Sequence, residues 1–400
     1  MLFTLEALEA AYGDSLLLHY GTPDAPKTII IDGGPPGNFA RHLQPRLEEL
    51  RDARVGAAPL PIPYMILSHI DDDHVAGLLS LTKELLRAKA DGDPQIVSVQ
   101  QMWHNSFDDM VKPVAAAPAE VAASFHLAAT GAPLPNVYKS ASPEAQLVLA
   151  TVPQGRQLRA DAAKLGIRVN SGFADGLVIA PKGKAVSKDV GSGLTLTIAG
   201  PRQEQLDALQ NDWAKQIKKL KKAGKLKPAE LMEAVAAEFV DKSVYNLASI
   251  VLLAECGGKT MLLTGDARGD YTIEALEASG LKKKGKPLKV DILKLPHHGS
   301  WRNIADSFFE DVVADHYVIS ANGKYDNPDK DTIVSLLKVR PNGGYTVHMT
   351  NRHHFQTKKE LPAATYLLKH AKQQKVEVVF GDETAKVPSL VIDLWQALKD

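Results

Sequence analysis

The stretch at residues 64–78, YMILSHIDDDHVAGL, constrains the fold of this chain more than any other part of its sequence. A short apolar run leads into His69, three consecutive aspartates at residues 71–73, and His74. We interpret the run as a buried strand, the polar cluster as the loop at its end, and residues 75–86 as a helix. A carboxylate-rich loop could instead cap a helix or bind solvent, but neither role uses the histidines. Imidazole and carboxylate groups together bind divalent metal ions, so the stretch predicts a metal site.

The composition indicates a large hydrophobic core and no overall electrostatic preference. Of the 400 residues, 44% are hydrophobic, and 47 basic side chains balance 47 acidic ones. A neutral chain has no general attraction to nucleic acid or to membranes, so contact with either would need a local patch. The length alone allows one large domain or two ordinary ones.

Cysteine usage limits the kinds of cross-link and metal site that are available. Cys256 is the only cysteine, which excludes an intrachain disulfide and a thiolate metal cluster. The N-terminal residues lack the pattern of a signal peptide, and no apolar stretch approaches the roughly 20 residues that span a bilayer. We therefore expect a soluble, cytoplasmic protein without a membrane partner, in which histidine and carboxylate side chains hold any metal.

The hydrophobic pattern predicts an α/β fold in a single domain over residues 1–400. Two segments are interpreted as insertions, an Ala- and Pro-rich one at about 106–170 and a charged helical hairpin at about 202–243. The Gly257-Gly258 pair between two apolar runs predicts a β-hairpin. Strands are predicted at residues 2–8, 15–21, 27–32, 64–67, 95–103, 171–180, 193–200, 248–256, 259–265, 290–296, 316–322 and 345–350, with a terminal strand pair at 376–381 and 390–395.

Several apolar strands end in Asp, His or Gly, as in IIIDGG, MILSHIDDDH, VQQMWHN, MLLTGDA and ILKLPHHGS. In layered α/β folds the loops at one sheet edge carry the functional side chains, so we expect these strand ends to converge on one site. The residue types predict two divalent metal ions, with zinc expected and manganese as the alternative. Two ions about 3.5–4 Å apart can activate a bridging hydroxide near neutral pH. Asp266 at a strand end is the candidate bridge, because a carboxylate has two oxygens.

Three of these motifs carry a resemblance to a known family. They are His69-x-Asp71-x-Asp73-His74, Leu263-Thr-Gly265-Asp266 and Pro296-His297-His298-Gly299-Ser300. Their order and spacing resemble the metallo-β-lactamase superfamily, whose usual first motif is His-x-His-x-Asp-His. The aspartate in place of the second histidine resembles the ComEC type, the hydrolase domains of bacterial DNA-uptake channels and their soluble relatives. The resemblance extends from about residue 12 to 350 and implies an αββα sandwich, here with a helical insertion, and a metal-dependent hydrolase.

The resemblance also implies roles for the residues of the first motif. His69 and Asp71 would bind the first ion, and Asp73 and His74 the second. Asp73 would in addition orient the hydroxide or accept a proton, which makes it a candidate catalytic residue.

The later motifs supply the remaining implied roles. Asp266 would bridge the ions, His297 would complete the second site, and His298 would line the substrate pocket as a second candidate catalytic residue. The sequence departs from the family at the middle histidine, for which His104 is the nearest substitute as a first-ion ligand. Alternatively, His104 packs beside its neighbouring tryptophan. Asn327 stands where relatives often have a histidine.

A few further polar residues are candidates for supporting roles. Asp32, at a strand end, is expected to be a hydrogen-bond acceptor that steadies the metal loop. Lys324 and Tyr325 could contact a phosphate or simply form a turn. His353 and His354 could reach a substrate, although two surface histidines are the simpler interpretation.

Three functions remain open at this stage. The first is hydrolysis of a phosphodiester, with a phosphate-containing substrate such as a nucleotide or nucleic acid, which the basic stretches at 215–227 and 282–289 could contact. The second is hydrolysis of a small ester, lactone or lactam by the same site. The third is a non-catalytic, metal-bound protein whose partner supplies the specificity.

Overall fold

The computed structural model describes residues 1–105, 143–181, 183–207, 249–382 and 384–398, with side chains from residue 154 onward in the helix that begins at Pro143. The strands are β1 Leu2–Leu8, β2 Leu16–Thr22, β3 Ala25–Ile31, β4 Leu60–Ile66, β5 Val97–Trp103, β6 Arg168–Val169, β7 Val186–Gly191, β8 Leu194–Gly200, β9 Val251–Cys256, β10 Lys259–Leu263, β11 Leu288–Lys294, β12 Val312–Ile319, β13 Thr346–Met349, β14 Glu377–Phe380 and β15 Ser389–Asp393. The α-helices are α1 Gln44–Arg54, α2 Asp72–Asp91, α3 Pro143–Leu165, α4 Gly269–Ala278, α5 Asp306–Asp311, α6 Lys330–Val339 and α7 Pro362–Ala371.

The strands form two mixed sheets that pack face to face. The order in the first sheet is β15-β1-β2-β3-β4-β5-β6, and in the second it is β14-β13-β12-β11-β10-β9-β8-β7. Apolar side chains from both sheets form one buried cluster between them, including Leu5 and Ile29 from the first sheet and Leu196 and Ile292 from the second. Burial of this shared face is the main reason the sheets associate.

Helices cover the outer face of each sheet. Leu47 of α1, Leu78 of α2 and Leu158 of α3 belong to the apolar cluster on the first sheet. Phe308 of α5 and Leu336 of α6 belong to the corresponding cluster on the second sheet. The layers therefore follow the order helix, sheet, sheet, helix, which confirms the predicted metallo-β-lactamase-like αββα sandwich.

Helix α2 begins inside the polar cluster, three residues earlier than predicted. Asp71 has extended backbone angles (φ −67°, ψ 149°) and serves as its N-cap residue. The helix approaches the loop after β3 so closely that a Cβ on Gly77 would lie 1.8 Å from the Gly33 oxygen. The amide of Gly33 donates to the His74 carbonyl oxygen at 2.8 Å. Two glycines are thus needed for the metal-ligand motif to lie against the end of β3.

Two strand predictions were wrong. Residues 171–180 form no strand, because Ala174–Gly176 form a turn in which Asp175 has a left-handed backbone (φ 54°). The side chain of Asn105 takes both backbone hydrogen bonds of Val178 (2.9 Å each). The terminal strands do not pair with each other. Instead, β14 joins β13 in the second sheet and β15 joins β1 in the first.

The two predicted insertions lie largely outside the described residues, which omit 106–142 and 208–248. The described end of the first insertion contains α3. None of the helices in the described part of the chain is long and apolar enough to cross a membrane.

A buried polar cluster fastens α1 to the first sheet. His19 Nε2 lies 3.0 Å from Glu6 Oε2, and Arg46 Nε donates to Glu6 Oε1 at 2.9 Å. Burial by itself raises the pKa of Glu6, but His19 and Arg46 outweigh burial and lower the pKa to about 2. The ionised carboxylate is therefore stabilised by folding above its ordinary pKa of 4.5, and this stabilisation is lost as the pH falls toward 2.

We expect Glu6→Gln to lower the free energy of unfolding at pH 7 by about 3 kcal/mol, the equivalent of the pKa shift, and the difference from wild type to shrink below pH 4. Urea unfolding at several pH values measures this. Glu49→Gln is the matched control, because Glu49 contacts the same Arg46 at 3.4 Å but is 35% exposed. A Glu6→Gln protein as stable as Glu49→Gln at pH 7 would contradict the prediction.

Candidate metal centre

The polar ends of strands from both sheets meet at one edge of the sandwich. The first sheet supplies His69, Asp73 and His74 from the loop after β4 and the start of α2, and the second supplies Asp266 after β10 and His298 after β11. Two overlapping sets of potential ligand atoms lie within 4.8 Å of one another: Asp14, His74, Asp266 and His298, and His69, Asp73 and His74. Four of the five predicted strand ends therefore converge, across two sheets rather than within one, and the end at His104 belongs to neither set in the described residues.

His74, Asp266 and His298 have the spacing expected around one metal ion, and Asp73 lies beside the two histidines. His298 Nε2 lies 3.2 Å from Asp73 Oδ2, 3.3 Å from His74 Nε2 and 3.4 Å from Asp266 Oδ2. His74 Nε2 lies 3.4 Å from Asp266 Oδ1 and 3.8 Å from Asp73 Oδ2. Ligands at about 2.0–2.1 Å in a tetrahedral site are separated by about 3.3–3.4 Å. The residues present therefore fit a divalent cation.

His69 and Asp71 also lie close to Asp266 or to each other. His69 Nε2 is 3.7 Å from Asp266 Oδ2 and 3.5 Å from Asp71 Oδ2. Asp266 Oδ1 thus lies near His74, while Oδ2 lies near both His69 and His298. Both oxygens of this carboxylate therefore face imidazole nitrogens.

Hydrogen bonds on the far side of each ring orient the histidines. His74 Nδ1 lies 2.8 Å from Asp32 Oδ2, and His298 Nδ1 lies 3.0 Å from the Ser320 carbonyl oxygen. The Ser68 hydroxyl donates to Asp32 at 2.6 Å, so it accepts from His69 Nδ1 at 3.0 Å. When neutral, all three rings therefore carry their proton on Nδ1 and direct the Nε2 lone pair to the centre, as metal ligands require.

Asp32 is a hydrogen-bond acceptor that steadies the metal loop, as the sequence predicted, and it links the rings of His69 and His74. One oxygen accepts from the backbone amide of Ser68 at 2.7 Å, and the other from the Ser68 hydroxyl and the His74 ring. Both carboxylate oxygens are thus used to hold the strand end and the first motif in one geometry.

The electrostatics of the centre favour a cation. Burial by itself raises the pKa of Asp266, but His298 and His74 outweigh it and lower the pKa well below its ordinary range. Burial opposes protonation of His74, but Asp266 and Asp73 outweigh it and raise the pKa of the ring. A divalent ion competes with the ring protons for the same carboxylates, so metal binding is expected to release protons.

Asp14 joins this cluster although it was not among the predicted site residues. Its carboxylate is buried, pairs with the Lys294 ammonium, and lies 3.4 Å from His298 Nδ1. Burial by itself raises the pKa of Asp14, but Lys294 and His298 lower it below its ordinary value. The Gly13-Asp14-Ser15 segment, between the first two predicted strands, is the sequence signal that could have pointed to this residue.

Three predicted ligands fall outside both sets of ligand atoms among the described residues. Asp71 remains near the centre through its contact with His69. His297 is 30% exposed, and its Nε2 lies 3.7 Å from Asp266 Oδ2. His104 is fully buried, and Asn170 contacts both its backbone amide (2.9 Å) and its carbonyl oxygen (2.7 Å).

Comparisons with known proteins agree with this fold and site. A family model described as the metallo-β-lactamase superfamily matches residues 24–85, which contain β3, β4 and the first motif. The chain is 24% identical over 165 residues to ComE operon protein 3 of Bacillus subtilis (strain 168), covering 39% of this chain and 20% of that protein. This chain therefore matches only a fifth of its relative's length. A crystal structure of unliganded yeast PDE1 aligns over 98% of this chain and 100% of that one at 10% identity, but its TM-score of 0.36 is too low to carry an argument.

These findings confirm the resemblance to the metallo-β-lactamase superfamily, including the ComEC-like character that the first motif suggested. The fold and the buried His/Asp cluster together support a metal-dependent hydrolase.

Because Asp32 orients His74 and, through Ser68, His69, we expect Asp32→Asn to weaken metal binding about 10–100-fold while the ligands themselves remain. Competition with a chromophoric chelator measures the zinc affinity. The matched control is Asp291→Asn, since Asp291 likewise accepts from a backbone amide, that of Thr260 at 2.8 Å, but lies outside the cluster. Equal affinity in the two variants would show that Asp32 does not orient the ligands.

Proposed function

We propose that this protein is a dinuclear metal-dependent hydrolase that cleaves phosphodiesters. The observation that supports the proposal is Asp266, whose Oδ1 lies 3.4 Å from His74 and whose Oδ2 lies 3.7 Å from His69 and 3.4 Å from His298, so that one carboxylate faces three imidazole rings. Two divalent ions held there would activate water and stabilise the negative charge that develops on a phosphoryl group. Zinc is the expected metal and manganese the alternative, because the donors combine imidazole nitrogens with several carboxylate oxygens.

The ligand set supports phosphate rather than carbonyl chemistry. Asp71, Asp73 and Asp266 make the donors rich in oxygen, whereas the usual family motif has a histidine at the position of Asp71. Oxygen donors suit hard cations, which bind phosphate oxygens well. The substrate class that follows is a nucleotide or a nucleic acid strand.

We assign the proton-transfer role to Asp73. Its side chain is 19% exposed and so remains accessible, while the neighbouring His74 and His298 are buried. Burial by itself raises the pKa of Asp73, but His74 and His298 lower it, so the carboxylate is ionised. It can therefore position a water molecule at the open side of the centre and accept its proton.

We also propose that His297 and His298 exchange the roles that the family resemblance implied. His298 contacts Asp73, His74 and Asp266 within 3.4 Å and is buried, which suits a ligand of the second ion. His297 is partly exposed at the rim, which suits contact with substrate. His104 is left out of the ligand set, because it belongs to neither group of ligand atoms in the described residues.

The two basic stretches identified in the sequence add little support for a nucleic-acid contact. Lys282, at the start of the stretch 282–289, is buried and bonds to Glu277 at 2.7 Å and Asp311 at 2.6 Å. Its charge is used within the fold. The stretch 215–227 lies outside the described residues.

Metal analysis with a kinetic assay tests the proposal. We expect about two zinc or manganese ions per wild-type chain, fewer in Asp266→Ala and His74→Ala, and a loss of at least about 100-fold in cleavage of bis-p-nitrophenyl phosphate by both variants. His370→Ala is the control, since His370 contacts Tyr366 on α7, away from the centre. Unchanged metal content in His74→Ala would refute the site. Hydrolysis of dihydrocoumarin without cleavage of the phosphodiester would favour the lactone alternative.

The neighbouring histidines provide a matched pair for a second test. His298→Ala is expected to bind about one ion fewer than wild type, because the variant lacks a proposed ligand of the second ion. His297→Ala should keep the metal content and lower kcat/KM for the phosphodiester. Metal loss in His297→Ala but not in His298→Ala would restore the roles that the resemblance implied.

A further inference from the structure

The loop that follows β12 is attached to the metal centre at both ends. At its start, Ser320 accepts from His298 Nδ1 through its carbonyl oxygen and donates from its hydroxyl to the Gly13 carbonyl oxygen at 2.7 Å. At its end, the amide of Asp329 donates to the Gly299 carbonyl oxygen at 3.2 Å. The residues between these anchors therefore have a fixed position beside the centre.

This loop and the loop after β1 together form a cluster of two tyrosines and a lysine. The ring centroids of Tyr12 and Tyr325 are 5.2 Å apart, with the ring planes at 86°. Lys324 Nζ lies 3.6 Å from the centroid of Tyr12 and 5.1 Å from that of Tyr325. We call these three residues the tyrosine–lysine platform.

The platform is adjacent to the metal ligands. Tyr12 lies two residues before Asp14, so their Cα atoms are at most about 7 Å apart. The amide of Asp14 donates to the Asp73 carbonyl oxygen at 3.3 Å, and a Cβ on Gly13 would lie 1.9 Å from that same oxygen. The platform therefore flanks the side of the centre on which Asp73 is accessible.

Backbone hydrogen bonds fix the loop that carries the lysine and the exposed tyrosine. The Lys324 amide donates to Asn322 Oδ1 at 3.2 Å, and the Gly323 amide donates to the Asn327 carbonyl oxygen at 2.9 Å. The Asp326 amide donates to the Gly323 carbonyl oxygen at 3.1 Å. The aromatic ring is thus presented by a closed turn, so little ordering would be needed on binding.

The platform exposes the groups that a ligand could contact. Tyr325 is 61% exposed, whereas Lys324 lies over the ring of Tyr12, which is half-buried. Burial opposes the charge on Lys324, but Tyr12 and Tyr325 outweigh it and raise its pKa, so it remains a cation. An exposed aromatic face next to a fixed cation is the arrangement that binds single-stranded nucleic acid, through stacking on the base and attraction to the phosphate.

We propose that the tyrosine–lysine platform binds the nucleotide next to the scissile phosphodiester, with Tyr325 stacked on an unpaired base and Lys324 paired with a phosphate. Tyr12 packs against both of these side chains. The inference rests on the proposed function and makes it more specific: it names the residues that hold the nucleotide and requires that its base be unpaired.

A pair of substrates with the same leaving group tests the stacking. The p-nitrophenyl ester of thymidine 5′-phosphate carries a base, and methyl p-nitrophenyl phosphate does not. We expect Tyr325→Ala to lower kcat/KM for the thymidine ester about tenfold, in the range of one base–aromatic stack, and to leave the methyl ester unchanged. Tyr325→Phe should retain wild-type rates on both. Equal rates of wild type and Tyr325→Ala on the thymidine ester, or an equal loss on both esters, would overturn the proposal.

Binding of a fluorescein-labelled phosphorothioate hexathymidylate, which resists hydrolysis, tests the platform independently of catalysis. Lys324→Ala should weaken binding and reduce the slope of log K against log salt by about 0.7, the value for one phosphate contact on a single strand. Lys330→Ala is the control, because Lys330 lies 5.3 Å from the ring of Tyr366 in a similar pair elsewhere. Trp395→Ala is the aromatic control, because Trp395 is an exposed aromatic residue (46%) away from the centre. Its ring nitrogen donates to the Cys256 carbonyl oxygen at the end of β9, and Asp266 follows the opposite end of β10.

The two measurements separate failure of the subsite from failure of the proposed function. If metal-loaded wild type hydrolyses neither ester, the proposed function fails. The platform then stands only if the hexathymidylate binds wild type and both controls alike and binds Tyr325→Ala about tenfold more weakly. Binding that is equal in wild type and Tyr325→Ala, or absent in wild type, would refute the platform.

Discussion

The structure depends on one buried interaction, the contact of the Asp266 carboxylate with histidines from the opposite sheet. Asp266 ends β10 of the second sheet, whereas His69 and His74 follow β4 of the first. The edge at which the two sheets meet thus contains charge rather than apolar side chains. Buried charge is costly unless it is balanced, so the geometry of this edge and the presence of a cation are coupled.

The rest of the fold positions the groups that balance this charge. Asp32 uses both oxygens to hold Ser68 and His74, and the close contact of Gly33 with Gly77 brings α2 against the end of β3. On the other side, the buried pair of Asp14 and Lys294 lies behind His298. Each metal-facing ring therefore has a polar partner on its far side, which fixes its tautomer and orientation before a metal binds.

Some residues of the centre are buried, and others are accessible to solvent. His74 and His298 are enclosed by the two sheets, while Asp73, His297 and the tyrosine–lysine platform lie toward solvent. A centre built in this way keeps its ligands rigid and leaves one side open to a substrate. The two loops that carry the platform also contact residues of the centre.

The sequence by itself predicted an α/β fold and most of the candidate ligands, because apolar periodicity and ligand residue types are local properties, whereas the layered αββα arrangement was implied by the family resemblance. His69, Asp73, His74 and Asp266 could be identified from strand ends and spacing alone. Only the tertiary structure separated β14 and β15 into different sheets, since pairing depends on distant partners. It also decided which of two adjacent histidines faces the ligands. Residues 297 and 298 both have a left-handed backbone (φ 47° and 55°), so backbone conformation does not distinguish them. The direction of the His298 ring is set by its contacts with Ser320 and Asp14, which are far away in sequence.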